Sequence, residues 1–202
     1  MARRYDSPVR AEQANDTRDR LVHAAQDLFV GDGWTATTMA GIATRAGVAR
    51  PTLYLHFPTK LDLLLTCIDA SLSAIPVRER PDYQAMGSGP LTDRVATAGR
   101  WLAAAHQRSA PIQRVLDHAA ATTPEAAAAR IRMERRRHDE FANACALVLG
   151  TAPPADLVDE VWALGSRAMW FTLAEVGWSP STWQLWFTRS VLDAVHTHNA
   201  AP

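Results

Sequence analysis

The segment from residue 37 to residue 60 restricts the possible folds of this chain more than any other. Apolar residues repeat there at helical spacing in two short runs, which a glycine at position 47 separates. Thr37 or Thr38 can cap the first run, in which Ile42 faces inward. These features predict two short helices that are joined by a tight turn.

The second short helix is predicted over residues 50–56, with Val48 and Leu53 holding it in place. Two short helices around a tight turn are typical of the helix-turn-helix motif. In that motif the second helix lies in the major groove of DNA, with its first residues nearest the base edges. Packing of three helices without any DNA is the alternative interpretation of the same pattern.

The side chains at the start of this second helix suit contacts with DNA bases. Arg50 comes first, and arginine can bind a guanine through two parallel hydrogen bonds. Pro51 is tolerated in the first helical turn because its missing N–H would have no partner there. The ring of Pro51 and the side chain of Thr52 can contact thymine methyl groups. The start of the helix is therefore predicted to read the DNA sequence.

Three further side chains suit contacts with the DNA backbone. Tyr54 and His56 can form hydrogen bonds with phosphates. Lys60 lies in the first turn of the next helix, where the helix dipole and free N–H groups favour an anion. The chain has 21 basic and 21 acidic residues, yet no acidic residue lies between Asp32 and Asp62. This local excess of positive charge favours binding of a polyanion.

Helical periodicity continues through the rest of the chain, and we find no convincing strand. Thr59 and Asp62 match the capping-box pattern, which predicts a fourth helix from residue 59 to about residue 75. Prolines and glycines predict a loop over residues 76–90. Further helices are predicted over residues 91–105, 111–121, 124–149, 155–176 and 181–199.

Residues 17–65 resemble, without a gap, the amino-terminal domain of the TetR (tetracycline-repressor) family of bacterial transcription regulators. The residues that carry the resemblance are Ala25, Phe29, Gly33, Thr38, Ile42, Ala43, Gly47, Val48, Leu53, Tyr54, Phe57 and Lys60. Beyond residue 65 the resemblance is limited to the number and order of the helices.

The resemblance implies an all-α fold of about nine helices in two domains. A flexible arm, residues 1–16, is expected to precede a three-helix helix-turn-helix DNA-binding domain, residues 17–60. Helix 4 is expected to join this domain to a helical ligand-binding and dimerisation domain, residues 61–202.

The resemblance also implies roles for individual residues. It places phosphate contacts at Thr38, Tyr54 and Lys60, and base contacts at residues 50–52 and 55. Leu55 is apolar, so its contact is limited to a thymine methyl group.

One residue departs from the family's pattern. Ala49 stands where the family usually has a capping serine or threonine. The missing cap costs about 1 kcal/mol of helix stability.

The last two predicted helices carry apolar residues on more than one face, and each such face must be covered. One face can close the domain, and the other can meet a second copy of the chain. A twofold four-helix interface is the family's usual solution, and its symmetry matches a palindromic operator. Complete burial within a larger monomer is the alternative. The predicted interface residues are Leu157, Val161, Leu164, Ala168, Trp183, Phe187, Val191 and Ala194.

Aromatic residues fall on three helices that the family's fold implies around a ligand site. A histidine and a glutamate on the long helix 124–149 could supply polar contacts there. Ordinary core packing is the alternative for each of these side chains. The predicted pocket residues are Trp101, Glu134, His138, Phe141, Trp162, Trp170 and Phe171.

Catalysis is the opposing class of function. Cys145, His138 and Asp139 are a candidate catalytic set with Cys145 as the nucleophile. On the predicted helix 124–149, however, Cys145 and His138 lie two turns apart, about 10 Å along the axis. That separation is too long for direct proton transfer. The sequence has no phosphate loop, zinc pattern or nucleophile elbow. We therefore expect no enzyme activity, no cofactor and no metal, and we interpret His196 and His198 as part of a helix end.

The sequence predicts a cytoplasmic protein with no membrane partner. No run of eighteen apolar residues occurs, and no apolar segment follows the basic start of the chain. Cys67 and Cys145 fit two buried free thiols in a reducing compartment.

The expected function is that of a ligand-responsive repressor. A homodimer binds a palindromic double-stranded DNA operator and is released by a small apolar or aromatic ligand. A DNA-binding protein that acts architecturally without a ligand, or that activates, is the alternative.

Overall fold

The computed structural model describes residues 8–72 and 77–200, and every regular element within these residues is helical. Short 3₁₀ turns at Val77–Glu79 and Ala85–Gly87 flank the fifth helix. The α-helices are α1 (Pro8–Ala36), α2 (Met39–Ala46), α3 (Arg50–His56), α4 (Lys60–Leu72), α5 (Pro81–Gln84), α6 (Leu91–Ala120), α7 (Pro124–Leu149), α8 (Ala155–Leu164), α9 (Arg167–Glu175) and α10 (Pro180–Ala200).

The predicted all-α class is confirmed, as is the helix-turn-helix near the amino terminus. Within the described ranges there are nine helices of seven residues or more, and α5 has four residues. None of the described helices is long and apolar enough to cross a lipid bilayer.

The chain divides into two compact units. The amino-terminal unit consists of residues up to Ser71 together with Pro111–Ala127. The carboxyl-terminal unit consists of Leu72–Ala110 and Ala128–Pro202. This division differs from the boundary expected after residue 60.

The first part of α4 belongs with the amino-terminal unit because it packs against α1. Leu63, Leu64 and Ile68 are fully buried. The side-chain amide of Gln26 on α1 donates a hydrogen bond to the carbonyl of Cys67 (3.1 Å), and the thiol of Cys67 contacts the carbonyl of Val22 (3.6 Å). The start of α4 has the predicted capping box: the hydroxyl of Thr59 accepts from the amide of Asp62, and the Asp62 carboxylate accepts from the amide of Thr59.

Two boundaries in the first half of the chain differ from the prediction. α1 begins at Pro8, so residues 8–16 are helical where an arm was expected, and residues 1–7 lie outside the described residues. The loop expected over residues 76–90 contains α5 and two 3₁₀ turns, because Tyr83 and Met86 are buried and hold it against the core. The predicted last turn of the fourth helix, residues 73–75, lies outside the described residues.

Two further boundaries differ in the second half. α6 continues through Pro111, although proline has no N–H and one helical hydrogen bond is lost there. Pro111 is exposed, whereas Ala110 and Ile112 beside it are buried, so their packing maintains the helix. The helix predicted over 155–176 is broken between α8 and α9. Ser166 starts α9 by accepting a hydrogen bond from the amide of Met169 (3.2 Å).

The core of the carboxyl-terminal unit lies between α6, α7, α8 and α10. It allows two close approaches at glycines. A side chain at Gly99 would lie 2.7 Å from the hydroxyl of Thr188 on α10, and one at Gly165 would lie 2.6 Å from the ring of Phe141 on α7. The buried residues include Val95, Leu102, Cys145, Val148, Leu157, Val158, Val161, Trp183, Phe187, Val191, Ala194 and Val195.

This core contains most of the side chains predicted for the dimer interface, so the single chain already covers them. Two adjacent apolar stripes at helical spacing look alike in sequence, so the pattern did not separate core side chains from surface ones. Of the predicted set, Leu164 is half-buried and Ala168 is exposed. The six that lie in the core are Leu157, Val161, Trp183, Phe187, Val191 and Ala194.

Candidate nucleic-acid interface

The turn between α2 and α3 has the geometry that the sequence predicts. Gly47 adopts a left-handed backbone conformation with φ 64°, which a residue without a side chain tolerates best. The amide of Val48 donates to the carbonyl of Ala43 (2.9 Å) and closes the turn. At the other end of α2, the hydroxyl of Thr38 accepts from the amide of Gly41 (3.0 Å), as expected of a cap.

α3 presents one buried side and one exposed side. Leu53 is fully buried and fixes the helix to the unit. Arg50 and Pro51 at its start are exposed, and one turn further Tyr54 is 52% exposed and Leu55 is 85% exposed. Three of the predicted base-contacting side chains, Arg50, Pro51 and Leu55, therefore lie on the solvent side of the helix. We call the exposed surface formed by Arg50, Pro51, Tyr54 and Leu55 the reading face.

The remaining predicted DNA contacts lie at the edges of α3. Thr52 and His56 are half-buried, and the His56 ring lies 6.4 Å from the ring of Phe57. The first turn of α3 has no side-chain cap at Ala49, as the sequence indicated. Thr38 remains exposed, and its hydroxyl proton is available because its oxygen is the acceptor in the cap.

Two acidic residues of the amino-terminal unit, Asp27 and Asp62, form contacts within that unit. Asp27 accepts a hydrogen bond from Arg45 at 3.1 Å, and Asp62 accepts from Thr59 in the capping box. No acidic residue lies between Asp32 and Asp62, so Arg50 and the amides of the first turn of α3 have no acidic neighbour close in sequence. Such a surface attracts phosphate.

Lys60 has a different environment from the one expected of a phosphate contact. Its ammonium nitrogen donates to the carbonyls of Trp34 (2.7 Å) and Thr37 (2.9 Å). It also lies 4.0 Å from the centre of the Trp34 ring. Burial lowers the pKa of Lys60. Nothing in the sequence indicated these contacts, because the partners are two backbone carbonyls more than twenty residues away.

The residues predicted for a ligand pocket fall into separate groups in the carboxyl-terminal unit. Trp101 packs edge-to-face with Tyr83, their ring centres 5.7 Å apart. His138 bonds to Asp159 at 2.7 Å and meets the edge of Trp162 at 5.6 Å. All of these contacts are made within the chain. A role of these side chains in ligand binding therefore stays a prediction.

The other predicted pocket residues lie around the break between α8 and α9. Trp170 stacks on His106 with ring centres 5.1 Å apart, and the ring of Phe141 lies against Gly165. Glu134 pairs with Arg167 at 2.5 Å and with Arg137 at 3.7 Å. Phe171 is half-buried.

Sequence reasoning missed the polar residues of this cluster: His106, Arg137 and Arg167. The imidazole nitrogen of His106 lies 3.1 Å from the carbonyl of Gly165, which also accepts from Arg137. Two donors therefore satisfy the carbonyl at the end of α8. Burial is the main cause that lowers the pKa of His106 to about 3, so its ring is neutral and donates this hydrogen bond. The available signal was a histidine four residues after Leu102 on the apolar stripe of α6.

Comparison with known proteins agrees with the geometry of the amino-terminal unit. A family profile described as "Bacterial regulatory proteins, tetR family" matches residues 21–67. The regulator SrpR of Pseudomonas putida is 35% identical over 72 residues, 36% of this chain and 34% of that protein. The activator FasR of Mycolicibacterium smegmatis is 44% identical over 54 residues, 27% of this chain and 25% of that protein.

The repressor KstR of Mycobacterium tuberculosis is 31% identical over 94 residues, 46% of this chain and 37% of that protein. The chain thus spans about a quarter to just over a third of the length of these curated relatives. Residues 21–67 are thus similar in sequence to the TetR family of bacterial regulatory proteins.

Solved structures extend the likeness to the fold of almost the whole chain. A TetR-family regulator from Mesorhizobium loti superposes with a TM-score of 0.69 at 18% identity, covering 91% of this chain and 97% of that one. A transcriptional regulator from Rhodococcus has a TM-score of 0.62 at 19% identity, covering 92% and 99%. The fold is therefore that of TetR-family regulators.

The buried neutral histidine gives a prediction about stability and pH. The pKa of His106 is about 3 in the folded chain against an ordinary value of 6.5, so only the unfolded chain takes up the proton between these values. Above pH 6.5 the ring is neutral in both states and makes no pH-dependent contribution. As pH falls below 6.5, this residue lowers the free energy of unfolding by up to about 1.4 kcal/mol per pH unit.

Urea unfolding at several pH values checks this expectation. His106→Gln is expected to lose less stability between pH 7 and pH 4 than the unmodified protein, whereas His196→Gln, at an exposed histidine on α10, is expected to follow the unmodified protein. Parallel curves for His106→Gln and the unmodified protein would contradict the assignment of a neutral buried ring.

Proposed function

We propose that this protein is a cytoplasmic transcription regulator that binds a palindromic DNA operator as a homodimer and responds to a small apolar or aromatic ligand. The observation that carries the proposal is the reading face of α3. A short helix that buries Leu53 and exposes Arg50, Tyr54 and Leu55 has a surface suited to a DNA groove.

The chemistry of the reading face supports recognition of particular bases. Arg50 can bind the two acceptors that guanine presents in the major groove. Leu55 can contact the methyl group of a thymine, and its almost complete exposure leaves it available for that contact. Tyr54 and the hydroxyl of Thr38 can bind phosphates on either side and fix the position of the helix.

The surface of the carboxyl-terminal unit supports the proposal of a dimer. Val176 and Leu185 are 69% and 67% exposed, and Ala168 on α9 is exposed as well. Leu192, two turns after Leu185 on α10, is half-buried and extends the same side of the helix. These residues replace the buried stripe as the proposed contact with a second chain, whose twofold symmetry would match a palindromic site.

The aromatic and polar cluster around Gly165 supports a ligand-binding role for the carboxyl-terminal unit. Trp170, Phe141 and His106 provide apolar ring surface, while Arg137 and Glu134 provide polar groups at the same place. Buried ionisable groups beside aromatic rings are typical of ligand sites. A ligand can release DNA only if it binds the DNA-free state better, by the same factor as it weakens DNA binding.

Two alternatives remain within this class of protein. FasR is named an activator and KstR a repressor, so the DNA-binding domain is compatible with either effect on transcription. We propose repression, as the family's usual action. An architectural protein that does not respond to a ligand is the second alternative.

An enzyme is disfavoured by the state of the candidate nucleophile. Cys145 is buried, and burial raises the pKa of its thiol to about 11. The reactive thiolate is therefore scarce at neutral pH. His138 is occupied by Asp159.

Selection from a library of randomised duplexes tests the DNA-binding proposal. The protein is expected to enrich a sequence with two inverted half-sites whose centres lie one helical turn, about 34–36 Å, or a multiple of it apart. Arg50→Ala should weaken binding to that sequence by about 1–3 kcal/mol and relax the base preference at one position in each half-site. The control is Arg189→Ala, at an exposed arginine of α10. Equal effects of the two variants across the library would overturn the assigned role of Arg50.

Sedimentation equilibrium tests the dimer. Leu185→Arg places a charge on the proposed contact and is expected to shift the protein from dimer to monomer. Ile131→Arg makes the same change at an exposed residue of α7 and should leave the dimer intact. A dimer that persists in Leu185→Arg but dissociates in Ile131→Arg would place the contact elsewhere.

Operator affinity measured at fixed salt, with and without a compound that raises the melting temperature, tests the ligand response. The selected compound is expected to weaken operator binding 5- to 150-fold, which corresponds to a coupling of about 1–3 kcal/mol. If compounds bind and leave operator affinity unchanged, the architectural alternative is favoured.

A further inference from the structure

The ammonium group of Lys60 is used inside the amino-terminal unit. Two of its three N–H groups are directed at the carbonyls of Trp34 and Thr37, at 2.7 Å and 2.9 Å. The face of the Trp34 indole lies 4.0 Å from the same nitrogen. An ammonium has three donors, so at most one remains for a phosphate.

The two carbonyls belong to residues 34–38, which follow the kink of α1 at Gly33 and lead into α2; we call these residues the α1–α2 connection. Gly33 breaks α1 with φ 79°, so the carbonyls that follow it lack the regular helical partners. The side chain of Thr37 is turned inward, 2% exposed, and donates to the carbonyl of Leu28 (3.0 Å). A cation bound to such carbonyls satisfies them and interacts favourably with the end of the helix.

The contacts of Lys60 connect the start of α4 to the segment that precedes α2. The segment that Lys60 binds leads directly into α2 through its cap at Thr38. α2 leads into α3 through the turn at Gly47, and only three residues separate α3 from Lys60 at the start of α4. The ammonium thus connects the end of this series to its beginning, with α3 held in between.

We infer that Lys60 is a positioning residue: its ammonium fastens the start of α4 to the α1–α2 connection and thereby sets the orientation of α3. This role replaces the phosphate contact that the sequence resemblance implied. The expected effect of Lys60 on DNA affinity rests on the proposed function. The contact between its ammonium and the two carbonyls is a property of the free protein.

The two roles predict different salt dependence. A residue that neutralises a phosphate releases counterions, so its removal reduces the slope of log affinity against log salt by about 0.9 per phosphate, or about 1.8 for a dimer on two half-sites. A residue that orients α3 changes the affinity at every salt concentration and leaves the slope unchanged. The slope therefore separates the two roles where the affinity alone does not.

The experiment measures the salt dependence of binding to the selected duplex for Lys60→Met and Trp34→Leu. Both variants are expected to lose affinity by about 10-fold or more, with slopes within about 0.3 of the unmodified protein. The double variant is expected to lose less than the product of the two single effects, since both act on one contact. Arg20→Met, on the exposed side of α1, is the control for loss of a surface charge.

Hydrogen exchange without DNA tests the fastening directly. The amides of residues 39–46 are expected to exchange faster in Lys60→Met than in the unmodified protein. Lys60→Gln retains N–H donors without a charge and serves if Lys60→Met does not fold. It is expected to keep part of the affinity and of the protection. A slope reduced by about 1.8 together with unchanged exchange would overturn the inference and restore the phosphate contact.

The two hypotheses fail in distinguishable ways. If the unmodified protein selects no duplex, the proposed function fails, while hydrogen exchange still decides whether Lys60 holds α2. Unchanged exchange in both Lys60 variants would overturn the fastening whatever the outcome with DNA.

Discussion

The turn between α2 and α3 is closed by a 2.9 Å hydrogen bond from the amide of Val48 to the carbonyl of Ala43, and it requires the left-handed backbone that Gly47 adopts. Helices of eight and seven residues are too short to be stable alone in water, so they depend on burial against their neighbours. Ile42 and Leu53, both fully buried, supply that burial from the inner sides of the two helices. The exposed side of α3 is consequently fixed before any DNA is present.

Such pre-organisation matters for recognition because a helix that is already ordered loses less conformational entropy on binding. The cap at Thr38, the capping box of Thr59 and Asp62, and the ammonium of Lys60 each satisfy backbone groups at a helix end. Together they hold the three short elements around α3. The side chains of the reading face are exposed, which leaves them available for the proposed contacts with DNA.

Much of the amino-terminal unit could be predicted from sequence because its determinants are local. The left-handed glycine, the cap at Thr38 and the capping box all depend on residues within a few positions of one another. The bounds of α3 were likewise predicted correctly at Arg50 and His56. The contacts of Lys60 could not be predicted, because backbone carbonyls carry no residue-specific signal and any residue at position 37 would offer the same acceptor.

The carboxyl-terminal unit was less predictable, since its organisation depends on which apolar stripe faces which neighbour. Trp183 and Phe187 lie in the core of the chain and not on a surface open to a second copy, whereas Leu185 between them is exposed. A helix with apolar residues on several sides does not reveal this choice. The break before Ser166 and the polar cluster around the Gly165 carbonyl were also missed, because they require the packing of α6 and α7 to be known.

A crystal structure of the protein with its selected duplex tests the central claim, that α3 reads the major groove, most directly. The account predicts that the guanidinium of Arg50 lies within hydrogen-bonding distance of a guanine edge, with the side chain of Leu55 toward the same groove. A complex in which α3 faces solvent and another surface of the protein contacts the duplex would contradict it.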